Sequence, residues 1–458
     1  MKQKNSIDMC NGPLFSKMIV FALPLMATGL LQMLYNAADI IVVGRFSGDD
    51  ALAAVTSTSS LVHLLVNLFL GVSTGVSATV ARHLGARHLQ KVHRSVHTSI
   101  LLGIIGGILL LIAGLLFAEP LLRMMGTPDE QGASVLEQSA LYVRIYFLGM
   151  PAFLVYNFGA AILRANGDTR RPLIFLLISG LVNVGFNLVL VIVFHLGVAG
   201  VAIATAVSQI LSAILVLRCL FQERSPIRLV FSHLRIHPKM MSEILRIGLP
   251  SGVQSSLFSI SNVIIQSSVN SFGKIAMAGA GAAANIEGFI YVAMNAFYHA
   301  SLNFTSQNFG AKQVERMARS CRYALLLVSI TGLMLGGLCA VFADPLLHIY
   351  TDNPEAIQYG TIRMCFVGIP YFLCGLMEVM TGYIRGMGFS LMPTVVSLVG
   401  ACGLRIVWVL TVFQTFPTFA GLFLCYPVTW IITFLAHAVC AKFAEKKITG
   451  LFVTNKSA

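Results

Sequence analysis

The sequence predicts an all-α membrane protein with twelve transmembrane helices in two six-helix lobes related by a pseudo-twofold axis. Three observations predict this fold: a very apolar composition, twelve apolar stretches long enough to cross a bilayer, and an internal repeat of half the chain length. Of the 458 residues, 57% are hydrophobic and 11% are charged, whereas soluble domains carry about 25% charged residues. This composition excludes a soluble enzyme and a disordered scaffold.

The twelve apolar stretches are the first element of the prediction. Apolar runs of about 18 residues or more are typical of membrane helices. Backbone polar groups cannot stay unpaired in lipid, so the runs are expected to be helical. The expected spans are residues 15–43, 51–80, 96–118, 139–163, 173–194, 198–221, 244–271, 277–306, 321–343, 361–384, 392–415 and 419–443.

The internal repeat divides these spans into two sets of six. The sequence Phe-Ala-Glu-Pro-Leu-Leu at residues 117–122 recurs as Phe-Ala-Asp-Pro-Leu-Leu at residues 342–347. Six helices in each half is an even number, so both halves cross the membrane in the same direction. We expect an N-lobe at residues 1–221, a cytoplasmic linker at 222–243 and a C-lobe at 244–458. Parallel repeats of this kind are typical of secondary transporters.

The net charge of +13 indicates orientation. With the N-terminus inside, 25 of the 31 Lys and Arg residues fall on the cytoplasmic side, five fall outside, and Arg405 falls within a helix. The positive-inside rule predicts this asymmetry. We therefore expect a multi-pass protein of the bacterial cytoplasmic (inner) membrane with both termini in the cytoplasm. The basic residues are divided among short loops, so the lipid bilayer and not a nucleic acid is the expected partner.

The sequence lacks the motifs of ATP-driven transporters and of membrane enzymes. There is no Gly-x-x-x-x-Gly-Lys-Ser/Thr loop for ATP, and no paired acids or Ser/His arrangement in a helix that would make a membrane enzyme. The nine cysteines include no Cys-x-x-Cys pair. We therefore expect no enzyme activity, no catalytic residue and no cofactor, and no metal other than a coupling Na⁺ ion.

Ionisable residues inside the spans are functional candidates, because an unused charge in a membrane costs several kcal/mol. The clear cases are Asp39, Glu287, Glu378 and Arg405. Glu287 and Glu378 either line the second lobe as substrate-binding residues or pair with Arg405.

Asp39 ends a polar stripe on the first helix. Gln32, Tyr35, Asn36 and Asp39 share one face at helical spacing, so the stripe faces a cavity or other helices. We assign Gln32, Tyr35 and Asn36 to substrate binding, together with Asn157 of the fourth span.

Two later helices supply further oxygen atoms. Asn183 and Asn187 lie four residues apart on helix 5, and Thr205 interrupts an apolar run on helix 6. With Asp39 they offer hard oxygen ligands suited to Na⁺, or a buried acid able to exchange a proton. The alternative is that the two asparagines form interhelical hydrogen bonds only.

Across the whole chain, the sequence resembles the multidrug and toxic compound extrusion (MATE) family. The residues that carry the resemblance are Leu23-Pro24, the stripe ending at Asp39 followed by Val43-Gly44, Leu52-Ala-Ala-Val55, the repeated Gly-Ala loops at Gly85 and Gly310, Arg164-Ala-Asn-Gly-Asp, Gly197-Val-Ala-Gly200 and Arg385-Gly-Met-Gly. The resemblance implies export of lipophilic, often cationic drugs in exchange for H⁺ or Na⁺ by alternating access, and we expect a monomer.

The family's cation site maps by motif to Asp39, Asn183, Asn187 and Thr205. Its helix 1 proline maps to Pro24, which is either a hinge or a tolerated membrane proline. The NorM branch of the family has acids where this chain has Phe258 and, near helix 10, Cys374, so the resemblance is to a bacterial branch outside NorM proper.

Multidrug efflux by H⁺- or Na⁺-coupled antiport is therefore the predicted function. The first alternative is a lipid-linked oligosaccharide flippase of the same superfamily, which needs a large cationic cavity for a pyrophosphate. The second is a major-facilitator porter, whose loop signature needs an acid that residues 81–88 lack.

Overall fold

The computed structural model describes residues 6–125, 127 and 135–454, and within these ranges the chain is helical with no strand. Twelve long helical segments follow one another: α1 Leu14–Phe46, α2 Asp49–Gly85, α3 Leu89–Met124, α4 Val135–Leu148 continued by Met150–Ala165, α5 Arg170–Val193, α6 Gly197–Gln222, α7 Pro238–Asn270, α8 Lys274–Gly310, α9 Val314–Val341, α10 Pro354–Gly386, α11 Leu391–Thr415 and α12 Phe419–Phe452. Each predicted span overlaps one of them, and the predicted fold class is confirmed.

The hydropathy of these helices fits a multi-pass membrane protein. In the described part of the chain, ten helices are long and apolar enough to cross a membrane, and the two halves of α4, bent by 47°, make an eleventh span. The remaining segment is α7, which carries serine, asparagine and glutamine along most of its length. These polar residues lower the hydropathy of α7 below that of its neighbours.

The helices form two compact units. The first contains Ala27–Leu84 and His88–Gly252, and the second contains Ile7–Met26, Gly85–Arg87 and the chain from Val253 onward. Both α1 and α7 are divided between the units, and each division lies within three residues of the proline in a repeated Leu-Pro dipeptide. The lobe limits expected from the sequence repeat stay a prediction.

Each unit has its own apolar core. In the first unit, Phe147, Leu154 and Phe158 are fully buried. In the second, Phe21 meets Phe304 edge to face with ring centroids 5.7 Å apart. Many large apolar side chains lie on the outer surfaces instead, as expected for helices that face lipid.

Glycines allow α2 and the first half of α7 to touch through their backbones. Gly71 and Gly75 lie one turn apart on α2, and Gly248 and Gly252 lie one turn apart on α7. A Cβ on Gly71 would be 2.1 Å from the Gly252 nitrogen, and one on Gly75 would be 2.2 Å from the Ile244 oxygen. Membrane helices pack closely through such pairs of small residues.

We expect Gly75→Ala to destabilise the protein by about 1–3 kcal/mol, because the added methyl group would overlap the α7 backbone. The matched control is Gly337→Ala in α9, where an added Cβ meets nothing within 4 Å. There the exchange is expected to be neutral or to stabilise by up to about 1 kcal/mol. The thermal midpoints of both purified variants in detergent measure the difference, and equal midpoints would contradict the packing.

Candidate cation-binding site

The structure brings Asp39, Asn183, Asn187 and Thr205 into one hydrogen-bonded cluster within the first unit. The Asn187 amide nitrogen donates to Oδ1 of Asp39 and to Oδ1 of Asn183, the latter at 3.3 Å. The Asn183 amide donates to the Thr205 hydroxyl at 3.4 Å, and that hydroxyl lies 3.4 Å from Oδ2 of Asp39. Three helices, α1, α5 and α6, therefore supply one continuous polar site.

Helical spacing positions the α5 contribution. Asn183 and Asn187 are four residues apart and so project from the same face of α5, and both are buried. Directly after them, at Val189–Val193, the helix widens into a π-helical turn, a feature frequent at functional sites.

The cluster has more oxygen acceptors than donors to satisfy them. The Thr205 hydroxyl has a single hydrogen, and its closer acceptor is the Val201 carbonyl at 3.0 Å, so Oδ2 of Asp39 is only weakly bonded. Oδ1 of Asn187 is buried without a hydrogen-bond partner. The cluster thus has the composition of a site for a proton or a small cation.

No cation of the described chain forms a salt bridge with Asp39, although only 9% of that residue is exposed. A buried carboxylate without a counter-charge carries a large desolvation cost. Binding a proton or a metal cation would remove that cost.

Two tyrosines of α4 border the cluster. The rings of Tyr142 and Tyr146 stack with centroids 5.8 Å apart, and both hydroxyls lie within electrostatic reach of Asp39. Sequence reasoning missed them, although two tyrosines four residues apart on one helix face were visible in the fourth span.

The predicted substrate-binding residues of α1 have different surroundings. The Tyr35 hydroxyl donates to the Leu177 carbonyl at 3.4 Å, and its ring lies against Gly180, where a Cβ would be 1.8 Å away. Gln32 and Asn36 are exposed and form no hydrogen bond with the described chain.

Asn157 and Pro24 do not join these groups. Asn157 is half-buried and donates to the Phe153 carbonyl of its own helix at 2.9 Å. Pro24 lies inside the continuous helix α1. The roles assigned to these two residues stay predictions.

Of the two alternatives for Glu287 and Glu378, pairing with Arg405 is wrong, and substrate binding stays a prediction. Glu287 forms a buried two-pronged ion pair with Arg363, at 3.0 Å and 2.8 Å. Arg363 is one of the five basic residues counted on the outer side, although it lies within the predicted span 361–384. The helix α10 begins at Pro354, so Arg363 lies well inside it. Glu378 also lacks the expected partner, because it forms no salt bridge or hydrogen bond with any described residue.

Glu287→Gln is expected to destabilise the second unit by about 3–5 kcal/mol, because it leaves the Arg363 guanidinium buried without a carboxylate. Replacing both partners, as Glu287→Leu with Arg363→Met, should cost less than this single change. Glu355→Gln, on an exposed residue at the start of α10, is the control and should stay within about 0.5 kcal/mol of wild type. Thermal midpoints measure all three, and a Glu287→Gln midpoint equal to that of the control would refute a structural role for the pair.

Comparisons with known proteins agree with this architecture. The MatE family model matches residues 24–189 and 250–411. The chain is 27% identical over 439 residues to "Probable multidrug resistance protein YoeA" of Bacillus subtilis, covering 94% of each chain. It is 25% identical over 391 residues to "Probable multidrug resistance protein NorM" of Thermotoga maritima, covering 84% of this chain and 82% of that one.

A solved structure described as "Outward-facing conformation of a multidrug resistance MATE family transporter of the MOP superfamily" has the same fold, with a TM-score of 0.88 at 22% identity, covering 98% of this chain and 99% of that chain. The family match spans well over half of the sequence and falls in both halves of the repeat. The resemblance noted from the motifs is thereby confirmed. The chain belongs to the MatE family, which is a family of membrane transporters and not of enzymes.

Proposed function

We propose that this transporter exports lipophilic, often cationic drugs across the bacterial cytoplasmic membrane in exchange for H⁺ or Na⁺ bound at the Asp39 cluster. The observation that carries the proposal is a buried carboxylate with no cationic partner in the described chain, set among uncharged oxygen ligands from two other helices. The names of relatives such as YoeA, a probable multidrug resistance protein, support drugs as the substrate class.

Ion binding at this site would act on helix packing. Asp39 holds α1 to α5 through the Asn187 amide and lies near α6 through Thr205. A proton on Asp39 would change these hydrogen bonds, and Tyr35, one turn earlier on α1, already lies against α5 at Gly180. Neutralising Asp39 in the outward-open state would therefore change the packing of α1, and this change would release the drug outside.

The two candidate ions make different demands on the cluster. A proton needs only the Asp39 carboxylate. Sodium needs several oxygen ligands, so the Asn187 amide, which now presents its nitrogen to Asp39, would turn to present Oδ1. Oδ1 of Asn187 accepts no hydrogen bond. Turning this oxygen toward Asp39 would therefore break no hydrogen bond that the oxygen now accepts.

Alternating access requires that the ion bind the outward and inward states with different affinity, because an ion that binds both equally shifts no equilibrium. Binding of the ion and of the drug must then weaken each other by the same factor. We propose a monomer with both termini in the cytoplasm, an orientation supported by the 25 of 31 basic residues on that side.

Asp39→Asn is expected to abolish drug resistance in a drug-hypersensitive bacterial host, because the amide can neither exchange a proton nor neutralise a bound cation. Asn187→Ala and Thr205→Ala should give partial loss, since each removes one ligand and leaves the carboxylate. The matched control is Asp352→Asn, on an exposed residue before α10, which should keep wild-type resistance. Resistance at the wild-type level for Asp39→Asn, at equal expression in the membrane, would overturn the site.

A further inference from the structure

The linker segment between α6 and α7, residues 223–237, is attached to the first turns of α3, and both belong to the first unit. The Thr98 hydroxyl of α3 accepts the His237 backbone N–H at 3.1 Å. The same hydroxyl donates to the Arg235 carbonyl at 3.4 Å. Side chains of α3 therefore fix the backbone of the linker segment.

His97 of α3 holds Val230 in either protonation state. Its Nδ1 lies 2.7 Å from the His93 carbonyl oxygen and so carries a hydrogen, which leaves the lone pair of the neutral ring on Nε2. That lone pair accepts the Val230 N–H at 3.0 Å. After protonation, Nε2–H would donate to the Val230 carbonyl, which is 3.1 Å away. Val230 therefore keeps an attachment to α3 at neutral and at acid pH.

The next attachment along the linker segment needs a neutral imidazole. His93 Nε2 and His233 Nδ1 lie 3.1 Å apart, with ring planes at 81°. A hydrogen bond between two imidazole nitrogens needs an N–H on one and a lone pair on the other, so at least one ring must be neutral. When both rings are protonated, both nitrogens carry hydrogen, and repulsion between two cations replaces the bond.

No acid compensates a second positive charge on this histidine pair. The groups of the described chain that act electrostatically on His93 are His97, His233 and His237, and none of them is a carboxylate. The His97 ring centroid lies 4.1 Å from that of His93. Because His233 is exposed and His93 is half-buried, water and protons reach the pair.

Two exposed arginines add to the positive charge of this region. Arg94 follows His93 on α3, and Arg235 lies two residues after His233. Burial, and then the guanidinium groups of both arginines, lower the pKa of His237. A proton added to the histidine pair therefore enters a region that already carries positive charge.

The acid near the start of α7 is engaged elsewhere. A carboxylate oxygen of Glu243 lies 3.0 Å from Nε2 of His83, and the other charged groups that act on this acid are Arg82 and Lys91. Glu243 is not among the groups that act on His93. Acid therefore weakens the histidine pair with no compensating ion pair in the described chain.

We propose that the His93–His233 pair is a pH-sensitive attachment, which holds residues 231–237 against α3 at neutral pH and loosens them when the cytoplasm becomes acidic. Val230 stays attached, so the loosened part is the segment that follows it. The linker joins the two repeat halves, and its loosening lengthens the free connection between them. This regulatory role goes beyond the proposed export and does not depend on the Asp39 cluster.

The size of the effect follows from the number of protons bound. The attached pair takes up at most one additional proton, whereas the two separated imidazoles take up one each near pH 6.5. Acid favours separation, because the separated state binds more protons. One extra proton changes the equilibrium by about ten-fold per pH unit below about pH 6.5. The attachment should therefore weaken about ten-fold between pH 7.5 and pH 5.5.

Hydrogen–deuterium exchange of the purified full chain in detergent, at pH 7.5 and pH 5.5, measures this loosening in peptides that cover residues 231–237. After correction for the intrinsic effect of pH on amide exchange, protection in wild type should be about ten-fold lower at pH 5.5. His93→Gln should remove this difference, because an amide offers both an N–H and an oxygen and so bonds neutral and protonated His233 alike. His88→Gln, on the exposed histidine just before α3, is the matched control and should behave like wild type.

Equal corrected protection of the wild-type peptides at the two pH values would overturn the proposal. A fall that His93→Gln shows to the same extent as wild type would also overturn it, as would a fall that peptides of α9 share, since that reports unfolding of the whole chain. His233→Gln makes the same test if His93→Gln fails to fold. Transport is not measured, so failure of the export function would leave this result unaffected.

Discussion

A carboxylate buried in a membrane helix without a counter-charge is the constraint on which the rest of this structure depends. Asp39 is held by an amide and, more weakly, by a hydroxyl, and by no cation of the described chain. An unpaired charge in a membrane helix is costly, so such a group is a candidate for a functional role. If an ion binds there as we propose, it would change the hydrogen bonds that join α1 to α5 and α6. That link is what a coupled transporter needs, because the ion and the helix arrangement then depend on the same atoms.

In the second unit, a buried acid is paired with a buried arginine. Glu287 and Arg363 neutralise each other through two short hydrogen bonds, so this pair has no need of an external ion. Glu287 and Asp39 are both acids in membrane helices, but only Glu287 has a cationic partner in the described chain. Glu378 also forms no salt bridge in the described chain, but unlike Asp39 it has an arginine, Arg385, within electrostatic reach.

Much of the fold could be predicted from the sequence, because a membrane helix must be apolar for about 20 residues and each span shows this directly. The meeting of Asp39 with Asn187 was predictable through the family resemblance and through helical spacing, which fixes the faces of α1 and α5. Arg363 lies near the outer end of the predicted tenth span, residues 361–384, but well inside the observed helix, which begins at Pro354. Apolar runs mark the hydrocarbon core of a span and not the polar turns that extend the helix beyond it.

The sequence could not show which helices, and which side chains on them, would meet. Periodicity shows that Glu287 lies on one face of α8, but not which helix that face meets. The backbone contact of α2 with α7 did have a signal, because glycines recur four residues apart on both helices, at Gly71 and Gly75 and at Gly248 and Gly252. The polar composition of α7 lowers its mean hydropathy, so hydropathy alone does not identify α7 as a helix that packs closely in the membrane. The same composition is compatible with close packing against α2.

Transport of a fluorescent cation in vesicles, with a proton gradient and a sodium gradient imposed separately, tests the central claim most directly. The account predicts that at least one gradient drives uptake into inverted vesicles by the wild-type chain, and that the same gradient drives none when Asp39 is replaced by asparagine. Transport that responds to neither gradient, or that responds equally with and without the Asp39 carboxylate, would contradict it.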